Sequence, residues 1–210
     1  MKKAIFPGSF DPFTVGHYDI VKRGLELFDE IIIGIGRNST KRETFPIRER
    51  EEAIRKIFAG EPRVKVAIYD CLTVDFAKEQ EAQFILRGMR CIGDFEYERN
   101  MAEANKQMAG IETVILYTRP EYAHISSTLV RDLYAYGKDV SDYVPNKLRE
   151  YSGSLRSLFC SSSGAGKASH DAGQRMYRHL QRRVTPSGCQ LRGHAQLRGT
   201  DRDRYQCHAA

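Results

Sequence analysis

The sequence predicts an α/β fold in which an open parallel sheet carries helices on both faces. Three observations lead there. Short β-branched runs alternate with amphipathic stretches along residues 1–150. The run Ile31-Ile32-Ile33-Gly34-Ile35 is apolar at every position, as in a strand covered on both sides. No internal repeat breaks the alternation, and right-handed crossovers then give one parallel sheet.

Each element has its own signal. Lys3 to Phe6 reads as a strand, broken at Pro7-Gly8. From His17 to Phe28, Ile20, Val21, Gly24, Leu25 and Phe28 recur at helical spacing. The isoleucine run is the second strand, and Ile47 to Phe58 is a helix with Ala53, Ile54, Ile57 and Phe58 on its apolar side. Val64 to Tyr69 is a strand, Val74 to Glu79 a short helix, and Phe84-Ile85-Leu86 a strand. Asp94 is expected to cap a long helix reaching Met108. Thr113 to Tyr117 is a strand, and Ser126 to Tyr136 a helix ended by Gly137.

Composition divides the chain. Hydrophobic residues make up 41% and charged residues 29% of the 210, and the formal charge is +6. Residues 1–150 hold 23 Lys and Arg against 24 Asp and Glu, a charge of −1, whereas the last sixty hold 10 against 3, a charge of +7. The basic character therefore belongs to residues 151–210, and the near-neutral first part argues against a nucleic-acid-coating surface. Those last sixty residues contain only seven Leu, Ile, Val or Phe, below the level at which a chain usually folds alone. The expected division is a domain over 1–150 and a basic Ser-, Gly- and Arg-rich tail over 151–210, disordered or the product of a shifted reading frame; a basic arm for RNA or acidic partners is the alternative. No apolar run reaches membrane-span length, and the N-terminus lacks a secretory signal. Five cysteines without a CxxC pair suit a reducing cytoplasm. Cys189, His194, Cys207 and His208 do not follow a structural zinc spacing, and Ser161 to Lys167 lacks the phosphate-loop spacing.

Chemistry is expected where strands hand over to helices. The loop from Pro7 to His17 joins a strand to a helix through two glycines, a Ser and a Thr, and a helix start with Gly nearby favours phosphate. His17 would stand on the first helical turn, able to donate a hydrogen bond to a phosphoryl oxygen as charge builds. A capping loop with a surface His is the plainer alternative. Far along the chain, His124-Ile125-Ser126-Ser127-Thr128 opens another helix. Alone, that Ser-Ser-Thr is an ordinary cap; paired with the Thr-x-Gly-His loop it becomes specific.

These two boxes, Thr14-Val15-Gly16-His17 and Ile125-Ser126-Ser127-Thr128, resemble the signatures of the HxGH nucleotidyltransferase superfamily. Pro7-Gly8-Ser9-Phe10-Asp11-Pro12 and Arg87-Gly88-Met89-Arg90, followed by Asp94-Phe95-Glu96-Tyr97-Glu98, narrow the resemblance to bacterial phosphopantetheine adenylyltransferases over about residues 2–150. Thr14 stands where many other members have His, which favours that branch.

The resemblance implies a Rossmann-like nucleotidyltransferase fold and transfer of the adenylyl group of ATP to 4′-phosphopantetheine by direct in-line attack. It implies His17, Lys41 and Arg87 as catalytic residues, His17 stabilising the transition state. It implies that ATP meets Ser9, Phe10, His17, Gly88, Met89, Arg90, Glu98, Tyr122, Ala123, His124, Ile125, Ser126, Ser127 and Thr128. The acceptor would meet Ser9, Lys41, Thr73 and Arg87. Mg²⁺ would arrive with ATP rather than in a protein cage, and the family is typically a homohexamer. Read from residues alone, Lys41 is a solvated loop lysine with Arg42 as a competitor, Glu98 part of a solvated acidic face, Met89 a core residue and Thr73 a helix cap. Other nucleotidyltransferases, with nicotinate mononucleotide or glycerol phosphate as acceptor, are the alternative within enzymes. A nucleotide-binding module without turnover is the alternative outside them.

Overall fold

The computed structural model describes residues 1–37 and 43–146. All of them fall in the first of the two units into which the chain divides, Met1–Ser162. The proposed tail therefore lies outside the described residues, as do Lys41 and Arg42.

Five strands form one parallel sheet: β1 (Lys3–Gly8), β2 (Glu30–Gly36), β3 (Val64–Tyr69), β4 (Phe84–Met89) and β5 (Glu112–Tyr117). Their order is β3-β2-β1-β4-β5. Five α-helices connect and follow them: α1 (Val15–Gly24), α2 (Ile47–Ile57), α3 (Thr73–Glu79), α4 (Ile92–Ala109) and α5 (Ser127–Ala135). The pleat sends alternate residues to opposite faces. Phe6, Ile31, Ile33 and Ile35 pack with side chains of α1, α2 and α5, such as Ile20, Ile54 and Val130. Ile5, Ile32 and Ile85 pack with Val74, Phe76 and Ala77 of α3, and Ala109 of α4 joins that cluster. Both faces are covered, as the apolar run from Ile31 to Ile35 in β2 predicts.

Several boundaries differ from the sequence expectation: β4 runs three residues past Leu86 to Met89, most other ends shift by one or two residues, and three differences have a local cause. β1 continues through Pro7 and Gly8, which pair with Gly34 and Ile35 of β2. The Pro7 carbonyl turns to the β4 side, where Arg87 meets it, and the β1–β4 ladder is recorded only at Ala4 and Ile5. The missing N–H of Pro7 falls on that side, where the ladder stops, and leaves the pairing with β2 intact. α1 stops at Gly24, while Leu25 and Phe28 remain buried in the turn that follows. α4 begins at Ile92 with Cys91 as its N-cap and no side-chain cap bond; Asp94 lies inside the first turn and reaches back to the Arg90 N–H at 3.2 Å. A carboxylate there still meets the positive end of the helix.

β1 has β2 on one side and β4 on the other, so the chain reverses its winding between β1 and β4. Loops leaving the carboxyl ends of two such strands diverge to opposite faces and open a crevice. Gly8 and Ser9 from one strand end, and Gly88 and Arg90 from the other, stand at that crevice.

Candidate active site

The start of α1 is built around one side-chain pair. Thr14 is the N-cap, and its Oγ1 accepts from the His17 N–H at 3.4 Å. His17 answers by accepting the Thr14 backbone N–H at Nδ1, 3.0 Å away. This is a capping box with imidazole in the place usually held by Glu or Gln. It also decides the tautomer. A neutral imidazole that accepts at Nδ1 carries its proton on Nε2.

The surroundings keep that ring neutral. Rings of Phe10, Phe13 and Phe6 lie with centroids 5.1, 5.4 and 6.2 Å from it. Burial first, then the nearby charges of Arg90 and Arg87, lower the pKa of His17 from 6.5 to about 4. At neutral pH the ring is an uncharged Nε2–H donor on the wall of a cavity.

That cavity, about 460 Å³, is bounded by both loops that the sequence pairs: Thr14, Gly16 and His17 from one, Ser126, Ser127 and Thr128 from the other. Direct bonds tie the loops together. Ser127 Oγ donates to the Pro12 carbonyl at 2.9 Å, and Arg131 Nη1 donates to the Asp11 carbonyl at 2.6 Å. Ser126 caps α5 by accepting the Leu129 N–H at 3.1 Å. Two helix starts thus open on one space, which suits an anion carrying several charges.

A second cavity, about 600 Å³, adjoins the first and is lined by Arg37, Tyr69, Leu72 and Thr73. Pro7, Gly8, Ser9, Arg87, Tyr97 and Glu98 line both. Arg87 is held in a two-pronged bond to Glu98, Nε to Oε2 at 2.8 Å and Nη2 to Oε1 at 2.7 Å, and its Nη1 donates to the Pro7 carbonyl at 2.9 Å. Burial acts against its charge, but the Glu98 hydrogen bonds and carboxylate outweigh it and hold the guanidinium above its ordinary range. Of its five N–H groups, these bonds engage three.

The structure brings together most of the sequence-derived candidates, but not all. Ser9, Phe10, His17, Gly88, Arg90, Glu98 and Ile125 to Thr128 line the first cavity, and Ser9, Arg87, Glu98 and Thr73 the second. Arg87 also lines the first. Glu98 spends both carboxylate oxygens on Arg87. The Thr73 hydroxyl meets Tyr69 OH at 3.2 Å. Met89 is buried and borders neither cavity. Tyr122, Ala123 and His124 border neither; the His124 ring instead approaches Tyr143, 6.4 Å between centroids. Arg131 and Arg37 line the cavities without having been singled out. Arg131 follows the Ser-Ser-Thr box by one helical turn, the spacing at which Thr128 accepts from its Nη2 at 2.9 Å.

Among the described residues no group of three or more His, Cys, Asp or Glu could hold a metal ion. The carboxylates at the first cavity, Asp94 and Glu98, are engaged by Arg90 and Arg87. A divalent cation there would take its ligands mainly from phosphate oxygens and water, which is how Mg²⁺ accompanies a nucleoside triphosphate.

Comparison with known proteins gives the same direction. The cytidylyltransferase-like family matches residues 5–133. Phosphopantetheine adenylyltransferase of Phocaeicola vulgatus is 56% identical over 149 residues, covering 71% of this chain and 99% of that protein. Its counterpart in Bacteroides thetaiotaomicron is 57% identical over 145 residues, covering 69% and 96%. A solved structure, the bifunctional NMN adenylyltransferase/ADP ribose pyrophosphatase of Francisella tularensis, is 16% identical, with 68% of this chain and 44% of that one covered at a TM-score of 0.48. With a crevice at the sheet's switch point and more than half its aligned residues shared with the Phocaeicola vulgatus and Bacteroides thetaiotaomicron proteins, the chain belongs to the phosphopantetheine adenylyltransferase family.

Proposed function

We propose that this protein transfers the adenylyl group of ATP to the phosphate of 4′-phosphopantetheine, giving dephospho-coenzyme A and pyrophosphate, within coenzyme A biosynthesis. One observation carries the reading of the site: two adjoining cavities share Ser9 and Arg87. A nucleotide in the first and an acceptor in the second would bring their phosphates together at that shared wall.

An acceptor phosphate oxygen attacks the α-phosphorus of ATP. A P–O bond forms to the acceptor, the bond to the bridging oxygen breaks, and pyrophosphate leaves with the electron pair. No group of the protein becomes bonded to substrate, so catalysis consists of positioning and charge stabilisation. His17 donates Nε2–H to a non-bridging oxygen as negative charge gathers there. Arg87, held by Glu98 and the Pro7 carbonyl, keeps its remaining N–H groups for phosphate. Lys41 supplies the second cation to the acceptor phosphate, on the strength of the family resemblance. Ser9 hydrogen-bonds at the junction, Arg90 and the starts of α1 and α5 face the triphosphate, and Thr73 lines the acceptor side. Mg²⁺, when carried in with ATP, would offset charge on the leaving pyrophosphate.

The transferase domain is placed at residues 1–150. A homohexamer in the cytoplasm is the proposed state. Exposed apolar residues of α4 (Ile92 at 89%, Met108 at 57%) support association, and sedimentation of the purified protein tests it. Among the described residues no helix is long and apolar enough to cross a membrane.

The decisive experiment incubates purified protein with Mg-ATP and 4′-phosphopantetheine and follows dephospho-coenzyme A by mass and pyrophosphate by coupled assay. Parallel reactions use CTP, nicotinate mononucleotide and glycerol phosphate. Product only with ATP and 4′-phosphopantetheine supports the proposal; turnover of another pair, or none, overturns it.

A further inference from the structure

We infer that Arg50 is a positioning residue of this site, acting through the backbone of Ser9; the inference rests on the adenylyl-transfer reading above. Phe10 has φ +47°, a left-handed conformation that a residue with a bulky side chain adopts only when its surroundings impose it. The conformation turns the Phe10 ring back over β1, so that a Cβ on Gly8 would stand 2.9 Å from it. It also sets the direction of the Ser9–Phe10 peptide at the wall shared by the two cavities.

Three side chains hold the strained turn. Arg50, on the first turn of α2 and only 5% exposed, donates Nη1–H to the Ser9 carbonyl. Its Nε donates to the Phe45 carbonyl at 2.9 Å, and its Nη2 pairs with Glu43. Asp11 accepts the N–H groups of Thr44 and Phe45, each at 2.9 Å. Arg131 fixes the Asp11 carbonyl from the α5 side. Residues 9 to 11 are therefore gripped from α2, from the 43–45 segment and from α5.

Arg50 borders neither cavity, so it does not touch substrate. Its contribution is the fork. A guanidinium reaches the Ser9 and Phe45 carbonyls and a carboxylate at once, whereas an ammonium is a point donor. Without it, the Ser9 carbonyl loses its fixed partner and the Phe10 turn can relax toward an ordinary conformation. Ser9 would then shift relative to both substrates, and displacements near 1 Å cost about a hundredfold in rate.

The test compares Arg50→Gln and Arg50→Lys with the wild type. Steady-state rates are normalised to the folded fraction from thermal melts at the assay temperature. The expected result for Arg50→Gln is a kcat about 10- to 100-fold lower, with KM raised for both ATP and 4′-phosphopantetheine, because Ser9 serves both cavities. Arg50→Lys, which can still donate to one carbonyl, should recover part of kcat. Wild-type kcat per folded molecule in either variant, or a loss no larger than the unfolded fraction, overturns the inference. If Arg50→Gln does not fold, Arg50→Lys decides: kcat lowered beyond its unfolded fraction supports the role. Wild-type turnover in the same assay judges the adenylyl-transfer reading separately. Were it absent, calorimetric binding of Mg-ATP would still decide, weakened in the folded variants if Arg50 positions Ser9 and unchanged if it does not.

Discussion

The sharpest consequence of the geometry concerns the proton on His17. Its Nδ1 accepts the Thr14 N–H, and its pKa stands at about 4. At pH 6 an unshifted imidazole would be about 75% protonated, and this one about 1%. His17 should therefore contribute no step to the activity near pH 6.5, where the substrate phosphates themselves titrate, so its protonation is read directly by NMR. His17→Ala removes that donor, and loss of one oxyanion donor costs about 2.7–4 kcal/mol, roughly 10²–10³ in kcat. The assay is kcat for dephospho-coenzyme A formation between pH 5.5 and 8.5, alongside ¹³C-ε1 histidine NMR in which the His17 signal is identified by its loss in the variant. A His17 midpoint near 6.5, or a variant kcat within threefold of wild type, would refute the reasoning. The same shift has a stability signature. Between pH 6.5 and 4 the unfolded chain protonates this histidine while the folded chain does not, so stability falls as pH falls through that window. Below pH 4 the full loss is about 3 kcal/mol, from 1.36 kcal/mol per unit over the interval. Urea titrations at pH 7 and 4.5 should show a smaller acid loss in His17→Ala than in wild type.

Other expectations follow from single contacts. Arg87→Lys keeps the charge but cannot make the paired bonds to Glu98; kcat should fall by about 10-fold or more, read in the same assay, as expected when a two-pronged site is replaced by a point donor. Gly24→Ala places a Cβ 2.7 Å from Leu86 Cδ2 and 2.8 Å from Ile31 Cδ1, and should cost about 1–3 kcal/mol in urea unfolding through overpacking. Ser126→Ala removes the cap on α5 and should cost about 1 kcal/mol by the same measurement.

The fold was legible because periodicity is written by burial. β2 is apolar at each core position since both faces are covered, and α2 shows Ile47, Ile54 and Ile57 toward the sheet. Boundaries were less legible. β1 outlasts the Pro7 break because its pairing with β2 continues through Pro7↔Gly34 and Gly8↔Ile35, and that depends on a neighbouring strand the local sequence does not name. The two loops that open on the first cavity could be found because helix starts carry local chemistry, Thr14 and Ser126 both capping as their residue types suggest. Arg50 could not. In Ile47-Arg48-Glu49-Arg50-Glu51-Glu52 it looks like one more surface charge, and only the folded positions of Ser9, Phe45 and Glu43 give it partners. Glu98 was ambiguous for a related reason: the acidic run Asp94 to Glu98 does not say which carboxylate turns inward, and burial selects Glu98.

The charge pattern reconciles a nearly neutral domain with a substrate pair rich in phosphate. Over residues 1–150 the charge is −1, so attraction at long range is weak. What the site offers instead is short-range and fixed. Arg87, Arg90 and Arg131 line the first cavity beside two helix starts, and Arg37 joins Arg87 in the second. Burying an Arg–Glu pair such as Arg87–Glu98 is a poor route to stability, since desolvation offsets much of the attraction. Its value here is geometric. Glu98 and the Pro7 carbonyl fix the plane of the guanidinium, and under the proposed reaction the N–H groups left over would meet phosphate without having to reorganise when charge develops. The same logic explains a histidine held neutral among three phenylalanines. A protonated ring would attract the triphosphate more strongly in the ground state, whereas in the proposed reaction a neutral Nε2–H, oriented by Thr14, would strengthen its bond as negative charge accumulates in the transition state.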